Sequence, residues 1–436
     1  MMDEQDKGAI NRGRFLQRAG LVGAGGVAGS LLPGALNPAQ AHAALSFTSS
    51  GLNVTYWPNV AHVEYLKKVF NGFGAAHGLK VNYIQLPAAF GDVVQKMTTY
   101  LTSGYTGIDV LWLDDFMTGT FRTAGWLLPL ENLVSKAAQD AVSPATLKLS
   151  TYNGHLYRVP GNAGDVIFFY RKDLFDKAGL GVPQTWADIV KAGKALTKGK
   201  QYGIGFAGKN GNTELFNEMS YWMGQADADP LHLRTPAART TLKFVWDMLN
   251  TWKIMPPETT AADYTSLQAA FQDGRFAMWP VWDGFVGSFE ANTKFWGNGK
   301  KVAIALPPKG PANNKTITAA WGWSISKYAV NKDMAAKFIE YAAAAQQEKS
   351  LTYTGSAPAR LSVLSDPEVQ KNLPSAKYLE MYGKENILHR RLITGQAQRI
   401  SDAFEAVVNR YLNKQIDLDT AIKQGQQRID DVQANA

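Results

Sequence analysis

The stretch YNGHLYRVPGNAGDVIFFYRKDLFDKAGLGVPQTWADI, residues 152–189, carries the clearest pattern of secondary structure in this chain. Residues 166–170 in its centre are apolar and aromatic, which predicts a strand. Residues 161–164 before that strand include two glycines and an asparagine, which are common turn formers. A helix is expected around residues 186–196. This succession of strand and helix predicts the start of an α/β unit near Tyr157.

The residues on the N-terminal side predict a βαβαβ pattern. Strands are expected at residues 52–57, 80–86 and 108–113, with amphipathic helices between them. Such alternation implies a parallel sheet covered on both faces, and ligands of such sheets collect at the carboxyl ends of the strands. The residues at those ends are Tyr56, Trp57, Asp114 and Asp115.

On the C-terminal side, a helix is expected at residues 240–252. Strands are then expected at 302–306 and 323–325, followed by a helix at 333–345. Short strands this far apart predict a chain that crosses between two lobes more than once. A chain of 436 residues also exceeds what a single hydrophobic core holds. The fold class predicted from these features is therefore α/β, with two lobes.

The first 43 residues have the layout of a signal peptide. Basic residues precede a small apolar run at 19–32, and Ala41-His42-Ala43 has the small residues of a cleavage site. The run is too short and too rich in glycine for a membrane span, so the mature protein is expected to be soluble and periplasmic. The segment NRGRFLQ resembles a twin-arginine export signal, but Gly13 stands where the second arginine belongs. The export route is left open.

Composition excludes several kinds of chemistry. The chain has no cysteine, which excludes disulfides, thiolate nucleophiles and cysteine-bound metals. Its six histidines show no metal-ligand spacing, and no phosphate-binding loop is present, so we expect no metal and no cofactor. The net charge of +8 is spread along the chain without the clusters that bind nucleic acid.

Four segments together resemble the family of bacterial extracellular solute-binding proteins that includes the maltose- and trehalose-binding proteins. They are residues 107–130, 152–189 and 267–285, and the pair 319–344 with 355–360. The second is the most informative, because its "YRKDLF" and "P-TW" runs are similar to the family's crossing into the second lobe. The order and spacing of the four segments match across nearly all of the mature chain.

This resemblance implies a periplasmic binding protein fold of the type II kind, in which a ligand cleft lies between the lobes and closes by a hinge motion. Lobe I is expected to comprise 44–158 and 303–357, and lobe II to comprise 159–302 and 358–436. The implied partners are a small carbohydrate and the permease subunits of an ABC transporter. The protein is expected to be a monomer and not an enzyme.

Among site residues, Asp114 matches the family's cleft carboxylate at the end of a strand. The alternative is that it caps the following helix, which needs an acceptor there. Asp115 is interpreted as the capping or solvated neighbour. Asn162 and Asp165 lie where relatives place ligand-contacting polar residues, and the alternative for them is a turn.

The family also uses tryptophans from two of these segments as stacking platforms for sugars. Trp282 and Trp321 are the preferred pair here, and the further candidates are Trp279, Trp323, Tyr56 and Trp57. The alternative for any one of these rings is a place in the core. Arg360 matches a "P-R" loop and could donate two hydrogen bonds to hydroxyls, the alternative being a surface salt bridge.

The function predicted from these features is delivery of a mono- or oligosaccharide or a polyol to an ABC importer. A second hypothesis is capture of an anionic ligand such as glycerol phosphate, which would need several cations converging in the cleft. A third is an exported polysaccharide-cleaving enzyme. That reading needs two carboxylates facing each other across a gap of roughly 5–9 Å, a spacing that sequence does not establish.

Overall fold

The computed structural model of the protein describes residues 51–56, 63–87, 90–140, 142, 144–352, 357–373, 375–385, 388–390 and 394–435. All of them fall in one compact unit, 48–436. Residues 1–43, predicted as the signal peptide, and Trp57 lie outside the described residues. Within the described part of the chain, no helix has the length and apolar character that a membrane span requires.

The N-terminal βαβαβ pattern is confirmed. Its elements are β1 (Gly51–Tyr56), α1 (Val63–His77), β2 (Lys80–Gln85), α2 (Phe90–Thr102) and β3 (Val110–Leu113). Strand β1 pairs in parallel with both β2 and β3. The carboxyl ends of the three strands therefore lie at one edge of the sheet.

The next segment leads from this sheet into the long strand that the 152–189 stretch encodes. It contains α3 (Asp115–Thr123), α4 (Lys136–Asp140), α5 (Pro144–Lys148), the hairpin of β4 (Thr151–Tyr152) and β5 (His155–Leu156), then β6 (Val159–Tyr170), α6 (Lys172–Lys177) and α7 (Trp186–Leu196). Helix α7 begins with a capping box, in which Thr185 and Asp188 each bond the other's backbone N–H. The predicted helix at 186–196 is thus confirmed.

The turn considered for residues 161–164 is wrong, because these residues belong to β6. Their backbone pairs with a distant strand, with Asn162 opposite Trp321 and Gly164 opposite Ala319. Gly161 is required for a different reason. A Cβ at this position would lie 2.8 Å from the indole of Trp112, so only a glycine allows that ring to pack against the strand.

The remaining elements are β7 (Tyr202–Ile204), α8 (Glu214–Gln225), α9 (Pro236–Asn250), α10 (Tyr264–Gln272), β8 (Phe276–Trp282), α11 (Val286–Ala291), α12 (Thr293–Trp296), β9 (Ala303–Ala305), β10 (Thr316–Ile325), α13 (Lys332–Ala342), α14 (Ala345–Thr352), α15 (Leu361–Leu364), α16 (Pro367–Asn372), α17 (Ala376–Glu385), β11 (Leu388–Arg390), α18 (Ala397–Leu412) and α19 (Leu418–Ala434). Short 3-10 helices occupy Pro257–Ala261 and Asp283–Phe285. The strands and helices predicted in this half are confirmed as α9, β9, β10 and α13.

One sheet connects both halves of the chain. Its strand order is β2-β1-β3-β10-β6-β8-β7, with β11 beside β10 and β9 beside β6. Strands β6 and β10 pair antiparallel at its centre, although about 150 residues separate them in the sequence. They join the N-terminal strands to the strands of the second half.

Three hydrophobic clusters surround this sheet. One includes β1, β3, α1 and α13, together with Val159 and Trp323. The other two lie on opposite faces of the second half, since Val166 and Phe168 belong to one and Ile167 and Phe169 to the other. The lobe boundaries stay a prediction.

Candidate functional site

The register of the central strands gathers side chains that lie far apart in the sequence. Leu113, just before Asp114, lies opposite Gly322, and Trp321 lies opposite Asn162. On the other side of β6, Val166 lies opposite Trp282. Neighbouring strands are about 4.8 Å apart, so the four strands span roughly 15 Å, and the positions of Asn162 and Val166 are a further four residues, roughly 13 Å, apart along β6. We call Asp114, Asn162, Asp165, Trp282 and Trp321 the central row.

Asp114 is the N-cap of α3 and is almost completely buried, with 2% of its surface exposed. Its Oδ1 accepts a hydrogen bond from the Met117 backbone N–H at 2.8 Å. One of its two carboxylate oxygens therefore caps α3, as the alternative interpretation of Asp114 predicted. Its role toward a ligand stays a prediction.

Asp115 is neither the cap nor solvated, so the sequence interpretation of this residue is wrong. It forms an ion pair with Arg158, in which Nη2 lies 2.7 Å from Oδ1 and both side chains are fully buried. Arg158 also donates to the Ser150 hydroxyl, and the Ala320 N–H reaches Asp115 at 3.3 Å. Sequence analysis missed Arg158, because its partner is 43 residues away.

Asn162 and Trp321 meet at an irregularity where β6 and β10 change register. The Trp321 N–H donates to Asn162 Oδ1 at 3.1 Å, and the register shifts between Trp321 and Gly322. A Cβ on Gly322 would lie 2.2 Å from the Val159 carbonyl oxygen, so this close approach of the strands requires glycine. Trp321 is half-buried and packs against the cluster that includes β1, β3, α1 and α13, which we call the first-half cluster.

The other aromatic candidates differ in the fraction of their surface that is exposed. Trp282 is half-buried and touches both clusters of the second half. Trp279 and Trp323 have 0% and 2% of their surface exposed, and they lie inside the clusters. Tyr56 is also buried and stacks on Trp112, with the ring centroids 4.8 Å apart. The structure thus places these last three rings in the core.

Asp165 lies beside a second carboxyl group that sequence analysis missed. The Asp165 N–H donates to Asp283 Oδ1 at 3.2 Å, and both side chains are at most 3% exposed. Burial raises the pKa of Asp165 to about 7. Burial, followed by the charge of Asp165, raises the pKa of Asp283 well above its usual value. At least one proton is therefore bound to this pair at neutral pH.

Arg360 is part of a largely buried ion pair, and the surface salt bridge considered for it is not what the structure contains. Its backbone N–H donates to Glu348 Oε2 at 2.7 Å, and its Nε lies 3.5 Å from Oε1. The same Nε donates to the Ala343 carbonyl oxygen. Burial raises the pKa of Glu348 to about 8 despite this cation.

The N-terminus of α8 is held by a carboxyl group from the C-terminal part of the chain. Glu405, on α18, accepts hydrogen bonds from the N–H groups of Phe216 at 3.0 Å and Gly211 at 2.6 Å. Residues 215–225 of this helix are all buried. Sequence analysis missed Glu405 because 189 residues separate it from Phe216.

This chain is similar in sequence to proteins that are named for different ligands. A "Probable amino-acid ABC transporter periplasmic-binding protein" of Sinorhizobium fredii is 25% identical over 77% of this chain and 79% of its own length. The "Mannitol-binding protein" of Pseudomonas aeruginosa is 26% identical over 57% of this chain and 59% of its own length. Among solved structures, maltose-bound MalE3 of T. maritima superimposes with a TM-score of 0.77 at 23% identity, covering 87% of this chain and 99% of that one.

The fold comparison confirms the predicted architecture, which is α/β with two lobes and a ligand cleft between them. Residues 58–349, about two thirds of the chain, match the sequence family described as bacterial extracellular solute-binding protein. The resemblance noted in four sequence segments is thereby confirmed as well. The chain belongs to the family of bacterial extracellular solute-binding proteins that serve ABC transporters.

Proposed function

We propose that this protein binds a neutral carbohydrate or polyol in the periplasm and delivers it, unchanged, to the permease subunits of an ABC importer. The central row is the single observation that carries the proposal. It brings carboxyl, amide and indole groups onto four adjacent strands of one sheet. The protein is proposed to act as a monomer, without a metal or cofactor.

A polyhydroxylated ligand needs this combination of groups. Its hydroxyls require paired donors and acceptors, and its C–H faces pack on aromatic rings. Trp282 and Trp321 are the two half-buried rings of the row, and we propose them as the stacking faces. Asp114, Asn162 and Asp165 are the proposed polar contacts. Trp279, Trp323 and Tyr56 are left out of the proposed site because they lie in the core.

The names of the relatives support this ligand class. One relative is named for mannitol, and the solved structure cited above holds maltose. The relative named for amino acids favours a second candidate, an amino acid. Such a ligand carries a carboxylate, which needs a cation in the site. Among the described residues near the row, the guanidinium of Arg158 is held by Asp115, and that of Arg360 by Glu348 and the Ala343 carbonyl oxygen. This arrangement favours a neutral ligand over an amino acid.

The charged groups near the central row also disfavour the hypotheses of an anionic ligand and of a polysaccharide-cleaving enzyme. An anionic ligand such as glycerol phosphate requires several converging cations. A glycosidase requires two carboxyl groups facing the scissile bond across a gap that holds substrate, whereas Asp165 and Asp283 are both buried and touch through the Asp165 backbone.

We further propose that the lobes are 44–158 with 303–357, and 159–302 with 358–436, and that closure bends β6 and β10. The first-half cluster supports this division, because its buried members come from residues 52–159 and 323–343. Rigid lobes that rotate about a few crossing segments are a general way to enclose a ligand.

A thermal-shift panel tests the proposed ligand class. It should contain mannitol, ribitol, maltose, an amino acid series and glycerol phosphate. A ligand bound only by the folded protein stabilises it by about 2.7 kcal/mol at a hundredfold excess over Kd. We expect a shift with a sugar or polyol, and unchanged ligand by chromatography after incubation. A shift with amino acids alone, or new products, would overturn the proposal.

Export is tested separately by mass. We expect the periplasmic protein to begin at Ala44, after the Ala41-His42-Ala43 site. Recovery of the protein in the membrane fraction with residues 19–32 retained would show instead that this segment is an anchor.

A further inference from the structure

Two buried carboxyl groups, that of Asp165 in the central row and that of its neighbour Asp283, have no cationic partner. In the described part of the chain, neither Asp165 nor Asp283 forms an ion pair. Asp165 Oδ1 and Asp283 Oδ2 also find no hydrogen-bond partner among the described residues. A buried charge left in this state is unusual, because proteins normally pair or neutralise such groups.

The pair lies next to the proposed stacking face. Asp283 follows Trp282 directly, and Asp165 precedes Val166, the residue opposite Trp282. A Cβ on Gly164 would lie 3.5 Å from Asp283 Oδ1 and 3.8 Å from the Trp282 indole, so the ring and the carboxyl share one neighbourhood. This proximity allows the pair to influence a ligand on Trp282 through its electric field.

Residues of two neighbouring elements, β10 and α17, lie close to the Asp165–Asp283 pair. Thr318 of β10 lies directly opposite Asp165. The Tyr382 phenol of α17 interacts with Asp165, and burial raises the pKa of this phenol well above its usual value. The pKa values of the two carboxyl groups respond to burial, to hydrogen bonds and, for Asp283, to the charge of Asp165. Ionisation of the pair is therefore not compensated by a neighbouring cation.

We propose that the Asp165–Asp283 carboxyl pair sets the charge selectivity of the site, admitting neutral and ammonium-bearing polyhydroxylated ligands and excluding phosphate esters and other anions. The inference rests on the proposed function and deepens it by naming the charge of the ligand. Because burial and then the charge of Asp165 raise the pKa of Asp283, Asp165 loses its proton first and carries the negative charge as the specificity-determining residue. A negative field inside a site of low dielectric acts on ligand charge far more strongly than the same field in water.

Three probes with one carbon skeleton test this selectivity. They are D-mannitol, D-mannitol 1-phosphate and 1-amino-1-deoxy-D-mannitol, each titrated by calorimetry. We expect the wild type to bind the phosphate at least about tenfold more weakly than mannitol, and to bind the amine at least as tightly. In Asp165→Asn, which removes this charge and keeps the backbone N–H that donates to Asp283, we expect the ratio of mannitol affinity to mannitol 1-phosphate affinity to fall on the order of tenfold.

Asp109→Asn is the matched control. Asp109 is also buried, but it precedes β3 and therefore lies at the opposite end of that strand from Asp114. Its replacement should leave the ratio unchanged. A pH series from 7 to 9 adds a second readout, because the phosphate charge is constant there. The ratio should rise with pH in the wild type, as Asp165 loses its proton, and should rise less in Asp165→Asn.

A ligand-free measurement separates failure of this inference from failure of the proposed function. Quenching of Trp282 fluorescence, isolated by subtracting Trp282→Phe, is compared for iodide and neutral acrylamide. Asp165→Asn should increase quenching by iodide and leave quenching by acrylamide unchanged. If no mannitol compound binds but iodide quenching rises, the ligand class is wrong and the field is confirmed. An unchanged ratio, or unchanged iodide quenching, would overturn the inference.

Discussion

Trp279 and Trp282 show how position on one strand separates a core residue from a candidate ligand contact. Alternate residues of a strand face opposite sides, so an odd spacing of three places these rings on different faces of β8. Trp279 is fully buried among Phe271, Phe276 and Phe289. Trp282 ends the strand and is half-buried.

Replacing Trp282 by alanine should weaken ligand binding by about tenfold or more, because a stacking face and its buried area are lost. The melting temperature of the ligand-free protein should change little. Trp279→Ala should show the opposite pattern, with a loss of about 3–5 kcal/mol in unfolding free energy because it opens a cavity in the core. Calorimetric titration together with ligand-free melting distinguishes the two. Equal affinity of Trp282→Ala and wild type would remove Trp282 from the site.

The Asp115–Arg158 pair should be a strong determinant of stability when broken from one side. Arg158→Met leaves a buried carboxylate without its partner, and such losses are about 3–5 kcal/mol. The double variant Arg158→Met with Asp115→Leu should recover part of this loss, since no charge then remains buried. Urea denaturation of both variants measures the difference. A single variant as stable as the wild type would show that water reaches the pair.

At the scale of elements, α8 depends on a helix that lies far from it in the sequence. Glu405 of α18 accepts the N–H groups of Phe216 and Gly211, and it therefore acts as a cap supplied by tertiary structure. Thr213, in the cap position of α8, makes no capping hydrogen bond with its side chain. The start of α8 is therefore capped by Asn212, which accepts the Glu214 N–H, and by Glu405.

Replacing Glu405 by alanine should lower the unfolding free energy by about 1–2 kcal/mol, the usual loss for a helix cap. It should also increase hydrogen exchange at the Phe216 and Gly211 amides, because they lose their acceptor. Asp402→Ala is the matched control, since Asp402 lies one turn earlier on the same helix and is exposed. Equal effects of the two variants would indicate that the start of α8 is held by packing alone.

At the scale of the whole molecule, several buried carboxyl groups bind protons more tightly in the folded state. Burial raises the pKa of Asp165, Glu214 and Glu405 to about 7, and that of Glu348 to about 8. Their pKa values in the unfolded chain are about 4–4.5. The folded protein therefore holds more protons between about pH 4.5 and 8.

Stability should increase as the pH falls from 8 to 5, because the state that binds more protons is favoured by acid. Each pKa unit of difference corresponds to about 1.4 kcal/mol. Calorimetric melting at one-unit intervals should therefore give a rising Tm toward pH 5. The carboxyl groups with lowered pKa, such as Asp188 and Asp366, act in the opposite sense and only below about pH 4.

Glu348→Gln checks the origin of this dependence. The amide keeps an acceptor for the Arg360 N–H but no longer titrates. The slope of Tm against pH should become shallower in this variant, mainly between pH 6 and 8. A wild-type Tm that is constant or falls toward pH 5 would contradict the assignment of protonated carboxyl groups to the folded state.

The resemblance of four sequence segments indicated the family. The alternation of strands and helices and the positions of most elements were predicted from side-chain periodicity and from capping residues within a few positions of each other, as in the Thr185–Asp188 box of α7. Local patterns of this kind can be recognised in the sequence without knowing which elements pack against them.

Which of the chemically active side chains meet depends on tertiary packing. Residues 161–164 carry turn formers yet form part of β6, because pairing with β10 satisfies their backbone. Arg158, Asp283 and Glu405 received their partners from segments 43, 118 and 189 residues away. The physical reason is that strand register and burial are collective: they follow from the packing of the whole sheet and its helices, and no local stretch of sequence contains them.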